Sequence, residues 1–174
     1  MQPKGYIPVY DNKETLVEID LRGRFIMMAC DIEFTLLYIM MYCAPDPLNQ
    51  IRRFNSAEMR MHNKIECTIS DLKKYKPHYY EEYKDELEKL WEFKTVRNDM
   101  AHLKLLFDKD SDFKLFKFLL IQNDENGKEK LHYKPYTIEY FKECLEKFAD
   151  LNMTLIKLMQ KLQAELPPMP TEHQ

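Results

Sequence analysis

The sequence predicts an all-α domain, an antiparallel four-helix bundle with one β-hairpin inserted between its third and fourth helices. Three observations carry this. Only three glycines, Gly5, Gly23 and Gly127, occur in 174 residues. That is too few for the tight turns of a sandwich or barrel, and they are not clustered as a phosphate-cradling loop requires. Four long stretches repeat apolar residues at helical spacing. One stretch, 113–136, switches to a strand-like pattern around a polar turn.

Residues 1–12 contain Pro3, Gly5 and Pro8 and read as an extended lead-in. A first helix runs from about Glu14 to about Tyr42, weakened at Gly23 and ended by Pro45 and Pro47. Its segment Phe25 to Cys43 is mostly apolar. Asp31 and Glu33 near its centre each cost roughly 2.5–3.5 kcal/mol in a lipid-inserted helix, so the segment reads as a buried core helix with no membrane partner. The Met27-Met28 and Met40-Met41 pairs read as core filler.

The second helix opens on a capping box, Asn55 as N-cap with Glu58 three residues on. It carries Met59, Ile65, Ile69 and Leu72 and stops near Tyr75, before Pro77. A third helix runs from about Pro77 to about Leu105, with Tyr80, Tyr83, Leu87 and Leu90 on one face. Phe113 to Ile121 and Leu131 to Tyr136 then flank Gln122-Asn-Asp-Glu-Asn-Gly-Lys128, a β-hairpin with Asn126-Gly127 in its turn. Thr137 caps a last helix. Its inner face is Ile138, Phe141, Leu145, Phe148, Leu151, Leu155, Leu158 and Leu162. A tail, 166–174, frays after it. The whole, 1–174, reads as one domain.

The net charge of −3 excludes a wholesale nucleic-acid coat, leaving only a local basic patch for such contact. Cys30, Cys43, Cys67 and Cys144 are widely spaced without a Cys-x-x-Cys pair. Zinc binding and a disulfide framework are not expected, and the composition fits a reducing cytoplasm. Cys30 and Cys43 read as inert core thiols. No basic-then-apolar leader opens the chain.

The chemistry concentrates in Lys94-Thr-Val-Arg97-Asn98-Asp99-Met100-Ala101-His102-Leu103. On a helix, Phe93, Val96, Met100 and Leu103 form the core side. Asn98 and His102 are one turn apart, and Arg97 lies roughly 140° around from His102, flanking a groove. Arg97 can hold a phosphate with its planar fork. His102 titrates near neutrality and can move a proton. With no carboxylate cluster at metal-ligand spacing beside them, these groups suit cleavage of RNA by its own 2′-hydroxyl, without cofactor or metal. Asn98 would orient the phosphate or the histidine. DNA lacks that hydroxyl. Lys94 and Lys104 flank the segment as substrate-binding candidates.

Arg97-Asn98-x-x-x-His102, late in the third helix, resembles the signature of the HEPN superfamily (higher eukaryotes and prokaryotes nucleotide-binding). The resemblance covers roughly Leu16 to Leu162, with its specificity in those six residues. It implies a dimeric helical bundle and a metal-independent endoribonuclease of toxin or defence systems, with RNA as substrate. It also implies a composite site at the homodimer interface and a cognate antitoxin protein in toxin systems. Arg97, Asn98 and His102 take the catalytic roles by that resemblance. So does an acid of the first helix, Glu33, with Asp31 its competitor. The helical neighbours Ile26, Ala29, Cys30, Leu36, Leu37 and Met40 point Glu33 inward, toward a cation, Arg97 foremost. The other reading is a non-catalytic HEPN-like module that binds a nucleotide, an RNA or a partner protein. The hairpin lies outside the minimal family pattern.

Other residues read as structural. His62, His78, His132 and His173 are solvated or packing residues, Lys73, Lys74 and Lys76 a solvated helix end, and Tyr79, Tyr80 and Tyr83 core. The face of Leu87, Leu90, Trp91 and Ala101 is too apolar at one end to stay exposed, which places a two-fold dimer through the third helix.

Overall fold

A computed structural model describes residues 13–56, 59–102, 104–107, 115–123 and 129–166. Among the described residues the elements run α1 (Lys13–Cys43), α2 (Pro47–Phe54), α3 (Met61–Tyr75), α4 (Pro77–Glu82), α5 (Lys84–His102), β1 (Lys104–Phe107), β2 (Leu115–Asn123), β3 (Glu129–Thr137) and α6 (Ile138–Ala164). The expected lead-in and tail, and Glu58, Leu103, Phe113, Asn126, Gly127 and His173, lie outside the described residues.

Helix predominates, as the all-α expectation requires, but the four-helix bundle with an inserted hairpin is overturned. Six helices stand where four were expected. Pro47 does not only end α1; it opens α2, whose N-cap Asp46 accepts the Asn49 N–H at 3.0 Å. Asp-Pro is a helix start, since proline needs no donor at the first position. Asn55 is consequently the C-cap of α2 rather than the N-cap of α3, which begins after Arg60. The expected third helix breaks at Tyr83, the C-cap of α4, and resumes as α5.

The inserted two-stranded hairpin is corrected as well. The chain between α5 and α6 forms a three-stranded antiparallel sheet in the order β1-β2-β3. Lys104 stands opposite Leu119, Phe116 opposite Tyr136 and Asn123 opposite Glu129. The added strand is Lys104-Leu-Leu-Phe107, whose start had been assigned to the last helical turn. A run of consecutive apolar residues carries no period to separate helix from strand. Pairing with β2 settles it by satisfying backbone groups on both strands. Thr137 ends β3, and its hydroxyl accepts the Tyr140 N–H at 3.0 Å at the start of α6.

The chain forms two compact units, residues 1–26 with 98–145 and residues 27–97 with 146–174. In the first, Phe25 and Phe141 meet edge to face at 5.9 Å, an arrangement favoured by the ring quadrupoles. Arg22 Nη1 donates to the Met100 carbonyl at 3.0 Å.

In the second unit many apolar residues are buried. Ile32, Leu36, Ile39 and Met40 of α1 and Ile65 and Leu72 of α3 are completely covered. So are Leu87, Leu90 and Phe93 of α5 and Phe148, Leu155, Leu158 and Leu162 of α6. Phe93 and Phe148 pack edge to face at 5.1 Å. Tyr80 and Tyr83 are buried, and the Tyr79 hydroxyl donates to Glu165 Oε1 at 2.7 Å. The basic run is not merely solvated. Lys73 lies over the Tyr80 ring, Lys74 over the Tyr75 ring, and Lys76 pairs with Glu165 at 2.6 Å.

Burial sorts further expectations. Leu87 and Leu90 of the expected dimer face are covered within the chain, while Trp91 is half-buried and Ala101 exposed. Among the described residues, α1 exposes several large apolar side chains. Met27 is 70% and Phe34 63% exposed, and Tyr38 and Cys30 are exposed too. Met27 is therefore not core filler, nor Cys30 a core thiol. By length and composition alone, the Ile19–Cys43 part of α1 could also cross a membrane.

Leu90 is a direct probe of this core. Leu90→Ala should cost about 2–5 kcal/mol and lower Tm on the order of 10 °C. Calorimetry checks this, and a change under about 1 kcal/mol would show the site is not close-packed.

Candidate active site

Helix α5 is oriented by its buried side. Phe93, Val96 and Met100 are covered, which fixes the rotation of the helix. Arg97 and Asn98 consequently fall at the margin, both half-buried. Asp85 and Glu86 occupy the first turn, where carboxylates suit the positive end of the helix dipole. His102 is the last residue of α5.

Glu33 sits on α1 beside the buried Ile32 and Leu36. Its carboxylate faces two cations. Lys64 Nζ donates to Oε2 at 2.5 Å, and Arg97 Nη2 stands 3.8 Å from Oε1. The side chains are 25%, 15% and 29% exposed respectively, so the charges are only partly screened. The tighter partner is Lys64, not Arg97. Arg97 at 3.8 Å is an ion pair longer than a hydrogen bond. The acid is thus held chiefly by lysine.

Sequence reasoning missed Lys64. Its neighbours Met61, Ile65 and Thr68 are buried, and it borders that face of α3 with its ammonium 4.4 Å above the Phe54 ring. The Thr68 hydroxyl is satisfied by the Lys64 carbonyl at 2.8 Å. The readable signal was a lysine beside the apolar line of a helix, which on its own means only a snorkelling side chain.

The remaining candidates fall as follows. Asp31 is exposed, and Arg24, earlier on α1, pairs with Asp20 at 3.0 Å. Lys94 is on α5, its ammonium 5.5 Å from the centre of the Trp91 ring. Lys104 is not on that helix, being the first residue of β1.

Nucleophilic thiol chemistry has poor support. Arg53 Nη2 donates to Cys67 Sγ at 2.7 Å, yet burial outweighs that cation and raises the thiol. Burial pushes Cys43 up to about 12, and its thiol donates to the Asp71 carbonyl at 3.2 Å. Both stay protonated near neutrality and are weak nucleophiles. Among the described residues no three His, Cys, Asp or Glu side chains converge as a metal site would need. A small depression of about 270 Å³ is lined by Glu86, Lys89, Lys147, Asp150, Leu151 and Thr154 and holds none of the motif residues.

No family model, no curated protein and no solved structure matches this chain.

The Glu33 contacts can be apportioned by double-mutant cycles in urea. Glu33→Gln with Lys64→Met should couple by about 1–2 kcal/mol. Glu33→Gln with Arg97→Gln should couple by under about 1 kcal/mol, because that pair is longer. A larger coupling for Arg97 than for Lys64 would reverse the assignment of partners.

Proposed function

We propose that this chain is an HEPN-like, metal-independent endoribonuclease that works as a homodimer. The observation that carries the reading is the position of the Arg97-Asn98-x-x-x-His102 segment. It closes α5, with Arg97 paired to an acid that a second cation already holds.

The reaction follows from the groups present. His102 takes the proton of the 2′-hydroxyl, the 2′ oxygen bonds to phosphorus, and the bond from phosphorus to the 5′ oxygen breaks. The departing 5′ oxygen takes a proton from the second protomer's copy of the histidine. The products are a 2′,3′-cyclic phosphate and a 5′-hydroxyl. Arg97 neutralises charge that builds on the non-bridging oxygens as phosphorus becomes pentacoordinate, and Asn98 positions the phosphate. With a base and a cation supplied by the chain itself, no step requires a metal.

The dimer draws support from α1. Met27, Phe34 and Tyr38 recur at i, i+7 and i+11 on its exposed side. Residues at that spacing make one stripe, the kind of surface that a second helix covers. Phe34→Lys places a charge in its middle. In light scattering the wild type should have twice the mass of the chain and Phe34→Lys the mass of one chain, with cleavage falling in parallel. A variant that remains dimeric would move the interface elsewhere.

The activity itself is tested with mixed RNA in excess EDTA. Wild type should cut, leaving cyclic phosphate ends. His102→Ala should lose about 10²–10⁴-fold with its fold retained. Arg97→Ala should be comparably inactive, and Asn98→Ala milder. Intact RNA with every preparation, bound equally by wild type and His102→Ala, would overturn the enzyme in favour of the non-catalytic binding module.

A further inference from the structure

We propose that Trp91 and His62 form a nucleobase subsite that stacks one unpaired base of an RNA strand beside the Arg97 site; naming RNA rests on the nuclease reading above. Trp91 is the sole tryptophan of the chain. It is half-buried on α5, and the exposed His62 ring of α3 lies 5.1 Å away, centre to centre. The rings are inclined at 52°, so neither covers the other in a parallel stack. Parallel offset stacking on indole is more favourable than this inclined contact for a flat base. The His62 side chain is half exposed, and uncovering the indole face requires it to move off its contact with Glu66.

The charges around the pair suit a phosphate next to that base. Lys94 Nζ stands 5.5 Å from the indole centre. Lys94 is three residues after Trp91 and Arg97 three after Lys94, so the three rise over about 9 Å of helix, each about 60° around from the last, with Lys94 between the ring and the arginine. Two acids are near. Glu92 is engaged by Lys147. Glu66 Oε1 is 3.2 Å from His62 Nε2, which steadies the imidazole rather than opposing a phosphate on the Lys94 side. A base in a duplex hides its faces in the stack, so the strand must be single. Ring stacking tolerates every base, giving the subsite affinity without strict sequence choice.

The emission of Trp91 reports the subsite without interference from any other indole. The probe is a short single-stranded 2′-O-methyl oligoribonucleotide, which cannot be cleaved through its 2′ position. It is titrated into the full chain with Trp91 emission read, and a fluorescein-labelled copy is followed by anisotropy. Saturable quenching should track the anisotropy and weaken with salt as phosphate contacts require. A duplex of the same sequence should not quench, and a mononucleotide should quench only at far higher concentration. Trp91→Ala should weaken binding about 5- to 150-fold, the equivalent of about 1–3 kcal/mol for one stacked base. Trp91→Phe, which keeps a ring and the fold, should lose less, and His62→Ala and Lys94→Ala should fall between. Strand binding with unchanged Trp91 emission, equal binding by Trp91→Phe and wild type with no quenching, stronger quenching by duplex, or no strand binding at all would each overturn the proposal. The two readings fail separately. Quenching by a chain that never cuts native RNA ends the nuclease and keeps the subsite. Cleavage without any change in Trp91 emission ends the subsite and keeps the nuclease.

Discussion

The carboxylate of Glu33 constrains the arrangement around it. A charge three-quarters removed from water on a helix whose adjacent side chains are Ile32 and Leu36 cannot be left without a partner. Lys64 from α3 and Arg97 from α5 both turn to it. Three helices are thereby referenced to one acidic point. One carboxylate thus meets two cations, with Arg97 at the longer distance.

The position of Arg97 is in turn a consequence of packing that has nothing to do with charge. Leu87, Leu90, Phe93, Val96 and Met100 are all buried, and their side chains set how α5 is rotated. Substituting any of them by a smaller residue alters a close-packed interior, and the displaced helix would carry Arg97 with it. The end of the helix is as important as its rotation. After His102 the chain turns to a strand, and Leu105, Leu106 and Phe107 pair with Phe118, Lys117 and Phe116. The motif therefore occupies the final turn of α5, where His102 borders the connection to the sheet and not a continuing helix.

Periodicity made some of this legible. Phe93, Val96 and Met100 share a side at helical spacing and are buried together, and Thr137 is a hydroxyl preceding an apolar-periodic run and does cap α6. Where the pattern had no period, reading it failed. Leu105 to Phe107 could belong to either structure until β2 was there to pair with them. Asp46-Pro47 was read only as a stop, although the same two residues are a start. The break at Tyr83 leaves no mark in composition, since tyrosine is neutral to helix and both flanks are good helix formers. Lys64 was invisible for a different reason. A lysine bordering an apolar face is ordinary, and what makes this one matter is an acid 31 residues away in sequence. Long-range pairings of single charges carry no local signature.

Helix α1 shows how an averaged quantity can mislead in both directions. Apolar on nearly every side, it resembles a core helix by composition and a membrane helix by length. Its buried side carries Ile32, Leu36, Ile39 and Met40, and its outer side carries Met27, Phe34 and Tyr38. The acids and bases of the helix are of both signs, Glu14, Glu18, Asp20, Asp31 and Glu33 against Lys13, Arg22 and Arg24. An interfacial membrane helix has an opposite face rich in lysine and arginine; here the opposite face is hydrocarbon already covered by the protein. One flank of this helix presents Glu33 to Lys64 and Arg97, and another keeps large side chains uncovered. Its inner surface stabilises the chain, so the composition of α1 is explained by packing on one side only.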